Sequence, residues 1–414
     1  MKFDSIVMGG GLSGLTCGIA LQQAGQRVAL VSAGQSTLHF HSGSFDLLGY
    51  DATGTVVENP LEAMQRLDSR HPYSKLDARG VPSLLNEARQ LLANAGIATH
   101  GDAGCNHYRL TPIGAFKPTW LSINDFATFK SPLSMPWKRV LVANVIGFLD
   151  FPTQFIVEAL RARGVMVDVT GFSTPRLSRA RKSLSEMRST NVAKVLSLFD
   201  EIDIMASSLN EVAQGYEALL LPSILGEDSD EAIAQLKNQL EVPLQLVPTL
   251  PPLVAGVRTE LLLKRRFQAL GGLYIVSDTV VGGTFQGNRL QAVTTAKLHG
   301  EQLEARDFVL ATGAFMSHGL ESNYNGVYEP IFNLDVEALP HRTEWTRDNV
   351  MQAQPYMEFG VATQADFKAM KEGSVVDNLY AVGSILSGHN SVKLADGAGV
   401  DLLTALQVAH TIAK

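Results

Sequence analysis

The chain has 414 residues, room for two or three domains at about 100–200 residues each and too long for a single small binding module. Hydrophobic residues make up 45% and charged residues 18%, a balance that builds packed cores and excludes a disordered or collagen-like chain. With 34 basic and 41 acidic side chains the formal net charge is −7, so the basic field that nucleic acid requires is missing.

Two cysteines, Cys17 and Cys105, cannot supply a disulfide framework, an iron–sulfur cluster or a cysteine-rich zinc site. No metal site is expected, and iron–sulfur chemistry would have to come from a partner. The apolar stretch 6–24 follows Asp4 and has glycines at its centre, which indicates strand, turn and helix, not a secretion signal. The stretch 140–160 is broken by Asn144, Asp150, Pro152 and Gln154, short of the roughly 20 apolar residues that span a bilayer.

In chain order, an apolar run at 3–8, a glycine-rich turn at 9–14, a helical pattern at 15–24 and a second apolar run at 27–31 predict an opening βαβ unit. Gly9, Gly11 and Gly14 fit G-x-G-x-x-G between that strand and helix. The first permits the turn, the second lets backbone N–H groups approach a phosphate, and the third allows close packing. The acidic residue that would close the second strand and bind a ribose diol is replaced by Ser32. A hydroxyl lacks the charge-assisted strength of a carboxylate, so the adenosine end is held differently or is absent.

The loop 35–46 holds Ser42, Gly43 and Ser44, whose small hydroxyls and amides suit the edge of an aromatic ligand. Its His39 and His41, and His389 near the C-terminus, are weak candidate proton donors because imidazole titrates near neutrality; a histidine in a polar loop is more often a plain hydrogen-bonding residue. Asp46 is expected as a turn or cap residue. An inserted domain is set at 49–254. Within it lie a strand at 139–145, a helix to 163, a strand at 165–170, a Ser- and Arg-rich excursion at 172–189, helices at 191–199 and 230–240, and strands at 218–221 and 244–247. Pro248, Pro251 and Pro252 mark the return.

The domain built on the glycine turn therefore runs through 1–48, 255–314 and 375–414, with a second insertion at 315–374. Its middle part has a helix at 258–270, whose Arg258, Lys264, Arg265 and Arg266 are expected on a solvated face. Strands follow at 273–281, 290–298 and 308–311. The last of these runs into Ala311-Thr312-Gly313, which resembles the Ala-Thr-Gly segment of two-dinucleotide-binding flavoproteins. The strand 378–382 leads into Gly383-Ser384, resembling their C-terminal Gly-Asp with the carboxylate lost. Gly397 and Gly399 open the terminal helix, where their N–H groups could face a flavin edge. The fold class is α/β: a Rossmann-like two-dinucleotide-binding flavoprotein fold with an inserted α+β cap domain.

Over nearly its whole length the sequence resembles the B subunits of bacterial anaerobic glycerol-3-phosphate dehydrogenase. The resemblance rests on Phe3-Asp4-Ser5-Ile6-Val7-Met8-Gly9-Gly10-Gly11-Leu12-Ser13-Gly14-Leu15 and Leu38-His39-Phe40-His41-Ser42-Gly43-Ser44-Phe45-Asp46-Leu47-Leu48. It continues through Thr119-Trp120-Leu121-Ser122, Gly147-Phe148-Leu149-Asp150-Phe151, Leu246-Val247-Pro248-Thr249-Leu250-Pro251-Pro252 and Glu329-Pro330-Ile331. It implies an FMN-containing subunit, FAD being the alternative. Its partners would be a larger, FAD-bearing A subunit of the dehydrogenase, plus an iron–sulfur, membrane-anchoring C subunit on the cytoplasmic face of the inner membrane. The implied reaction oxidises sn-glycerol 3-phosphate to dihydroxyacetone phosphate and passes electrons to quinone, ultimately to fumarate or nitrate.

Whether this chain, its partner or their interface holds glycerol 3-phosphate stays open. The segment Ala395-Asp396-Gly397-Ala398-Gly399-Val400-Asp401 stands where the family can show cysteine and further glycines, and Asp401 is expected to cap the terminal helix. Two other readings compete: a flavin-poor docking subunit of the same complex, suggested by Ser32 and Ser384, and an independent FAD-dependent oxidoreductase of another small hydroxy or dicarboxylic acid.

Overall fold

Strand Lys2–Met8 is buried over its second half and pairs in parallel with Val28–Ser32 on one side and Gln302–Leu310 on the other. Such continuous apolar runs belong to parallel strands covered on both faces. Leu273–Val276 extends the sheet beyond Val28–Ser32, and Ser374–Ala381 extends it beyond Gln302–Leu310, all in parallel. A hairpin of Val280–Gln286 and Arg289–Thr295 pairs antiparallel with the opening residues of Gln302–Leu310. The helix Leu12–Gln23 is buried on every side from Leu12 to Leu21 and packs against the terminal helix Gly397–Ile412. That explains its lack of a polar face.

The computed structural model describes residues 1–183 and 187–414, so three residues of the 172–189 excursion lie outside the description. The chain forms two units: 1–37, 45–95 and 263–414 make one, and 38–44 and 96–262 the other. Residues 49–95, set within the insertion on sequence grounds, join the first unit because helix Val81–Asn94 packs against the terminal helix through its buried face, which includes Leu84, Ala88 and Leu91. The later boundary falls at 262/263, inside helix Val254–Ala269, which begins soon after the proline cluster and runs on without a break. The second insertion expected at 315–374 is part of the first unit.

The second unit departs from the expected α+β class. It does contain small antiparallel sheets, but its largest sheet is parallel, in the order Met166–Phe172, Arg139–Val145, Ala218–Pro222, Leu244–Val247. Helices Thr153–Arg161, Phe199–Ala213 and Glu231–Gln239 make the crossovers that parallel strands need. One antiparallel sheet joins His107–Leu110 to Phe116–Thr119 and Thr128–Phe129, and Thr99–His100 pairs with Leu121–Ile123.

Candidate functional site: the glycine turn and its neighbours

In the first unit three chain reversals meet at the carboxyl ends of parallel strands, where ligands bind in such sheets. The Gly9 N–H donates to the Val31 carbonyl at 2.9 Å, the Ala311 N–H to that of Met8 at 2.8 Å, and the Val382 N–H to that of Leu310 at 3.0 Å. Gly9 has φ +117, and a Cβ there would lie 2.1 Å from the Ala311 carbonyl oxygen. A Cβ on Gly14 would lie 1.9 Å from the Gly9 carbonyl oxygen. The protein's own backbone thus requires glycine at both positions. Gly11 differs: it is extended, a Cβ there would reach nothing nearer than Ser36 Cβ at 4.0 Å, and no side chain caps the helix it begins. Space is left beside uncapped N–H groups at a positive helix end, the arrangement that receives phosphate.

Around this turn, Thr312 presents a buried hydroxyl with no hydrogen-bond partner, and Gly313 turns the chain with φ +74. Gly383, also at φ +74, donates its N–H to Thr404 Oγ1 at 3.0 Å. A Cβ on Gly383 would lie 2.4 Å from both Ser13 Oγ and Asp401 Oδ1, so the strand end, the first helix and the terminal helix converge there. Ser32 is buried, and its hydroxyl donates to the Gly34 carbonyl at 3.1 Å. A Cβ on Gly10 would meet Tyr274 Oη at 2.4 Å and Ser32 Oγ at 2.5 Å, so protein hydroxyls fill the space beside that residue.

Asp401 does not cap the terminal helix as expected. The cap position is Asp396, and it makes no side-chain capping bond. The Asp401 carboxylate instead accepts from the Ser384 N–H at 3.1 Å and the Ser384 hydroxyl at 3.3 Å. The carboxylate missing at 384 is thus restored from the helix one turn in. Burial pushes Asp401 up to about 6, against the nearby His389 charge and the Ser384 hydrogen bonds.

Asp396 lies between two buried imidazoles, accepting from His71 Nε2 at 2.8 Å and from His389 Nδ1 at 3.4 Å. Burial alone would raise its carboxyl, but His389 and His71 outweigh it and hold Asp396 well below the usual range. Burial depresses His389, yet Asp396 more than compensates and its pKa is raised. His389 is therefore a member of a buried ionic group, not an open loop donor. Of the two glycines at this helix start, Gly399 already donates its N–H to the Asp46 carbonyl at 2.8 Å, and a Cβ there would lie 2.1 Å from Tyr73 Oη. Its N–H does not face a ligand. Gly397 approaches Ser391, where a Cβ would lie 3.1 Å from the Ser391 Cβ.

The loop residues His39, His41, Ser42, Gly43 and Ser44 belong to the second unit. His39 Nε2 lies 3.6 Å from Glu260, and His41 Nδ1 accepts the Gly43 N–H at 3.2 Å as a turn residue. Gly43 has φ +84 and packs against Phe126 and Ile123, Ser42 is half-buried, and Ser44 Oγ pairs with Ser122 Oγ at 3.1 Å. Arg258, expected on a solvated face, is 5% exposed; its guanidinium donates to the Gly226 carbonyl at 3.2 Å, and burial lowers its pKa. The Cys17 thiol is fully buried and pushed up to about 12, which removes it as a nucleophile. Among the described residues no cluster of His, Cys, Asp and Glu could hold a metal, and no helix is long and apolar enough to cross a membrane.

The family of FAD binding domains matches residues 4–400. The B subunit of anaerobic glycerol-3-phosphate dehydrogenase from Yersinia enterocolitica is 41% identical, covering 100% of this chain and 98% of that protein. The B subunits from Pectobacterium carotovorum and Haemophilus influenzae are 39% and 36% identical, each covering 100% of this chain and 99% of the relative. The chain belongs to the B-subunit family of anaerobic glycerol-3-phosphate dehydrogenase. As a member of that family it is a flavoprotein oxidoreductase subunit with a Rossmann-like flavin-binding fold. In this chain the residues of the turn fit a flavin: Gly11 leaves room, the first helix is uncapped, and the Thr312 hydroxyl lacks a partner.

What sequence reasoning missed is the support beneath the site. His71 and Tyr73 lie more than 300 residues before Asp396, and no local pattern announces that they meet. Ser384 was the one available signal that a carboxylate from another element stands beside that strand end, and Asp401 supplies it.

Proposed function

We propose that this chain holds FMN at the Gly9–Gly14 turn and serves as the flavin subunit of a respiratory enzyme that oxidises sn-glycerol 3-phosphate to dihydroxyacetone phosphate. In this reading it assembles at the cytoplasmic face of the inner membrane with the FAD-bearing A subunit, together with the iron–sulfur C subunit, and the electrons reach quinone. The observation that carries the reading is Gly11: open space beside an uncapped helix start, flanked by two glycines that the backbone itself requires. FMN is favoured over FAD by Ser32, since the place of the ribose-binding carboxylate is taken by a buried hydroxyl already bonded to Gly34.

A bound flavin supplies the two-electron acceptor that no side chain provides. The residues contribute position and charge. The N–H groups of the first helix turn hold the phosphate, and the strand ends at Thr312 and Gly383 set where the ligand lies. Asp401, with its carboxyl near 6, holds or releases a proton beside Ser384 within the neutral range.

Denaturing extraction of the purified chain, followed by chromatographic identification of the released flavin, tests the proposal. Near-stoichiometric FMN is expected. FAD would show that Ser32 is tolerated in an adenosine site, and no flavin even after reconstitution would leave a docking role. Co-purification with a flavoprotein and an iron–sulfur protein, with glycerol 3-phosphate oxidation by the complex, tests the assembly; a lone active enzyme would overturn it.

A further inference from the structure

The second unit holds a cavity of about 310 Å³ built entirely from its own residues, between helix Glu231–Gln239, the segments 96–98 and 123–125, and the first turn of helix Val254–Ala269. Arg258 lies at its floor, 5% exposed, while Asp230 and Lys237 stand on its exposed rim. Gly226 fixes one end of the guanidinium. It turns the chain with φ +68, its carbonyl accepts from Arg258 Nη1 at 3.2 Å, and a Cβ on it would lie 2.7 Å from that nitrogen, so the close approach needs glycine.

Four charged side chains line the cavity, and they divide into a closed pair and an open one. Lys237 Nζ donates to Asp125 Oδ1 at 2.7 Å, so those two satisfy each other. Arg258 and Asp230 face the same space without meeting. Neither belongs to an ion pair among the described residues, and Asp230, at the cap position of helix Glu231–Gln239, makes no side-chain capping bond. A guanidinium carries five N–H donors, and the Gly226 carbonyl takes one. Burying a cation with no anion beside it is costly, and the carboxylates of Asp125 and Asp230 offset that only in part, since burial still lowers the Arg258 pKa. Ile97, Ile123 and Ile233, all buried, supply the apolar part of the wall.

We propose that this cavity is a binding site for a small aliphatic amino acid, with its carboxylate on the Arg258 guanidinium and its ammonium on Asp230. The guanidinium fork matches a carboxylate in shape and charge. A simple amine would be repelled by Arg258, and a phosphate dianion by Asp230 and Asp125, whereas a zwitterion answers both open charges at once. The isoleucines suit a short aliphatic side chain, and the volume falls at the small end of the roughly 300–1,000 Å³ typical of small-molecule sites. Every lining residue belongs to the second unit, so the site adds a ligand class to the chain and stands whether or not the flavin reading does.

The test is calorimetric titration of the purified full chain with L-alanine, L-valine and L-leucine, and with 3-methylbutanoate, which is valine without its ammonium, isobutylamine, which is valine without its carboxylate, and inorganic phosphate. Valine is expected to bind at least about tenfold more tightly than 3-methylbutanoate, with no binding of isobutylamine or phosphate. Asp230→Asn keeps a residue that suits the start of a helix, and should weaken valine about tenfold while leaving 3-methylbutanoate unchanged. Arg258→Gln should abolish binding of both. No binding of any of the three amino acids by wild type, equal affinity for valine and 3-methylbutanoate, or phosphate bound more tightly than valine would each overturn the proposal. Valine affinity unchanged in Asp230→Asn would overturn it too. If Arg258→Gln does not fold, the contrast between valine and 3-methylbutanoate in wild type and in Asp230→Asn decides.

Discussion

Asp401 accepts two hydrogen bonds from Ser384, one from its backbone N–H and one from its hydroxyl, and so joins the terminal helix to the strand end beside the glycine turn. This carboxylate occupies the neighbourhood that family resemblance assigned to residue 384 itself.

The raised Asp401 pKa has a signed consequence for stability. With the folded value near 6 and the ordinary value 3.8, the native state holds the proton more tightly than the unfolded one. The carboxyl is penalised only when charged, so its destabilising effect is absent below pH 4, grows between 4 and 6, and is complete above 6. Asp401→Asn should therefore be more stable than wild type at pH 7.5 by about 1–3 kcal/mol, with the gap closing toward pH 4. Urea unfolding across that range checks it; a gap independent of pH would refute it.

Gly11 and Gly14 separate the demands of ligand and fold. Gly11→Ala adds a methyl that the protein can accommodate, since the nearest atom is 4.0 Å away, so its stability should stay within about 0.5 kcal/mol of wild type while flavin affinity falls at least about tenfold. Gly14→Ala places its methyl 1.9 Å from the Gly9 carbonyl and should cost about 1–3 kcal/mol in the fold as well. Thermal melts of the flavin-free chains and flavin titrations distinguish the two. Full flavin affinity in Gly11→Ala would show that nothing binds in that space.

Asp396→Asn removes the anion between two buried imidazoles and should destabilise the chain by about 3–5 kcal/mol at pH 6. Because the His389 pKa is raised above its ordinary 6.5, the stability from its protonated form is fully present below 6.5 and lost as the pH rises through the folded value. The cost of the substitution should accordingly shrink on the alkaline side. Melting temperatures of the pair from pH 6 to 9 measure this, and a constant difference would exclude a charged His389.

Glu329, 1% exposed, accepts from the N–H groups of Ile331 at 2.9 Å and Phe332 at 2.8 Å, with Leu334 at 3.5 Å. Burial nonetheless raises its pKa. Glu329→Ala leaves these donors buried without an acceptor and should cost about 2–4 kcal/mol, whereas Glu329→Gln keeps one acceptor oxygen and should cost less. Denaturant midpoints of the two variants check the order; equal values would mean that the turn finds other partners.

The parallel core strands, the glycine turn and the terminal helix were legible in the sequence because each is written locally. Apolar runs, a glycine spacing and a helical period need no distant residue to be recognised. The domain limits were less so. From residue 49 onward the periodicity changes repeatedly without marking a limit near 95, and the packing of Val81–Asn94 on the terminal helix, with His71 on Asp396, attaches residues 49–95 to the first unit. The small sheet around Arg109 was invisible for a related reason: its strands are two to four residues long, too short for an alternation to stand out.

By itself the sequence determined a flavoprotein fold, its family and the glycine turn that opens the first helix, because backbone chemistry at glycines depends on neighbours in the chain. Tertiary structure alone decided the fate of the charges. Asp401 came to Ser384 and Asp396 to His71 and His389, since the energy of a buried charge depends on what long-range packing places within a few ångströms of it.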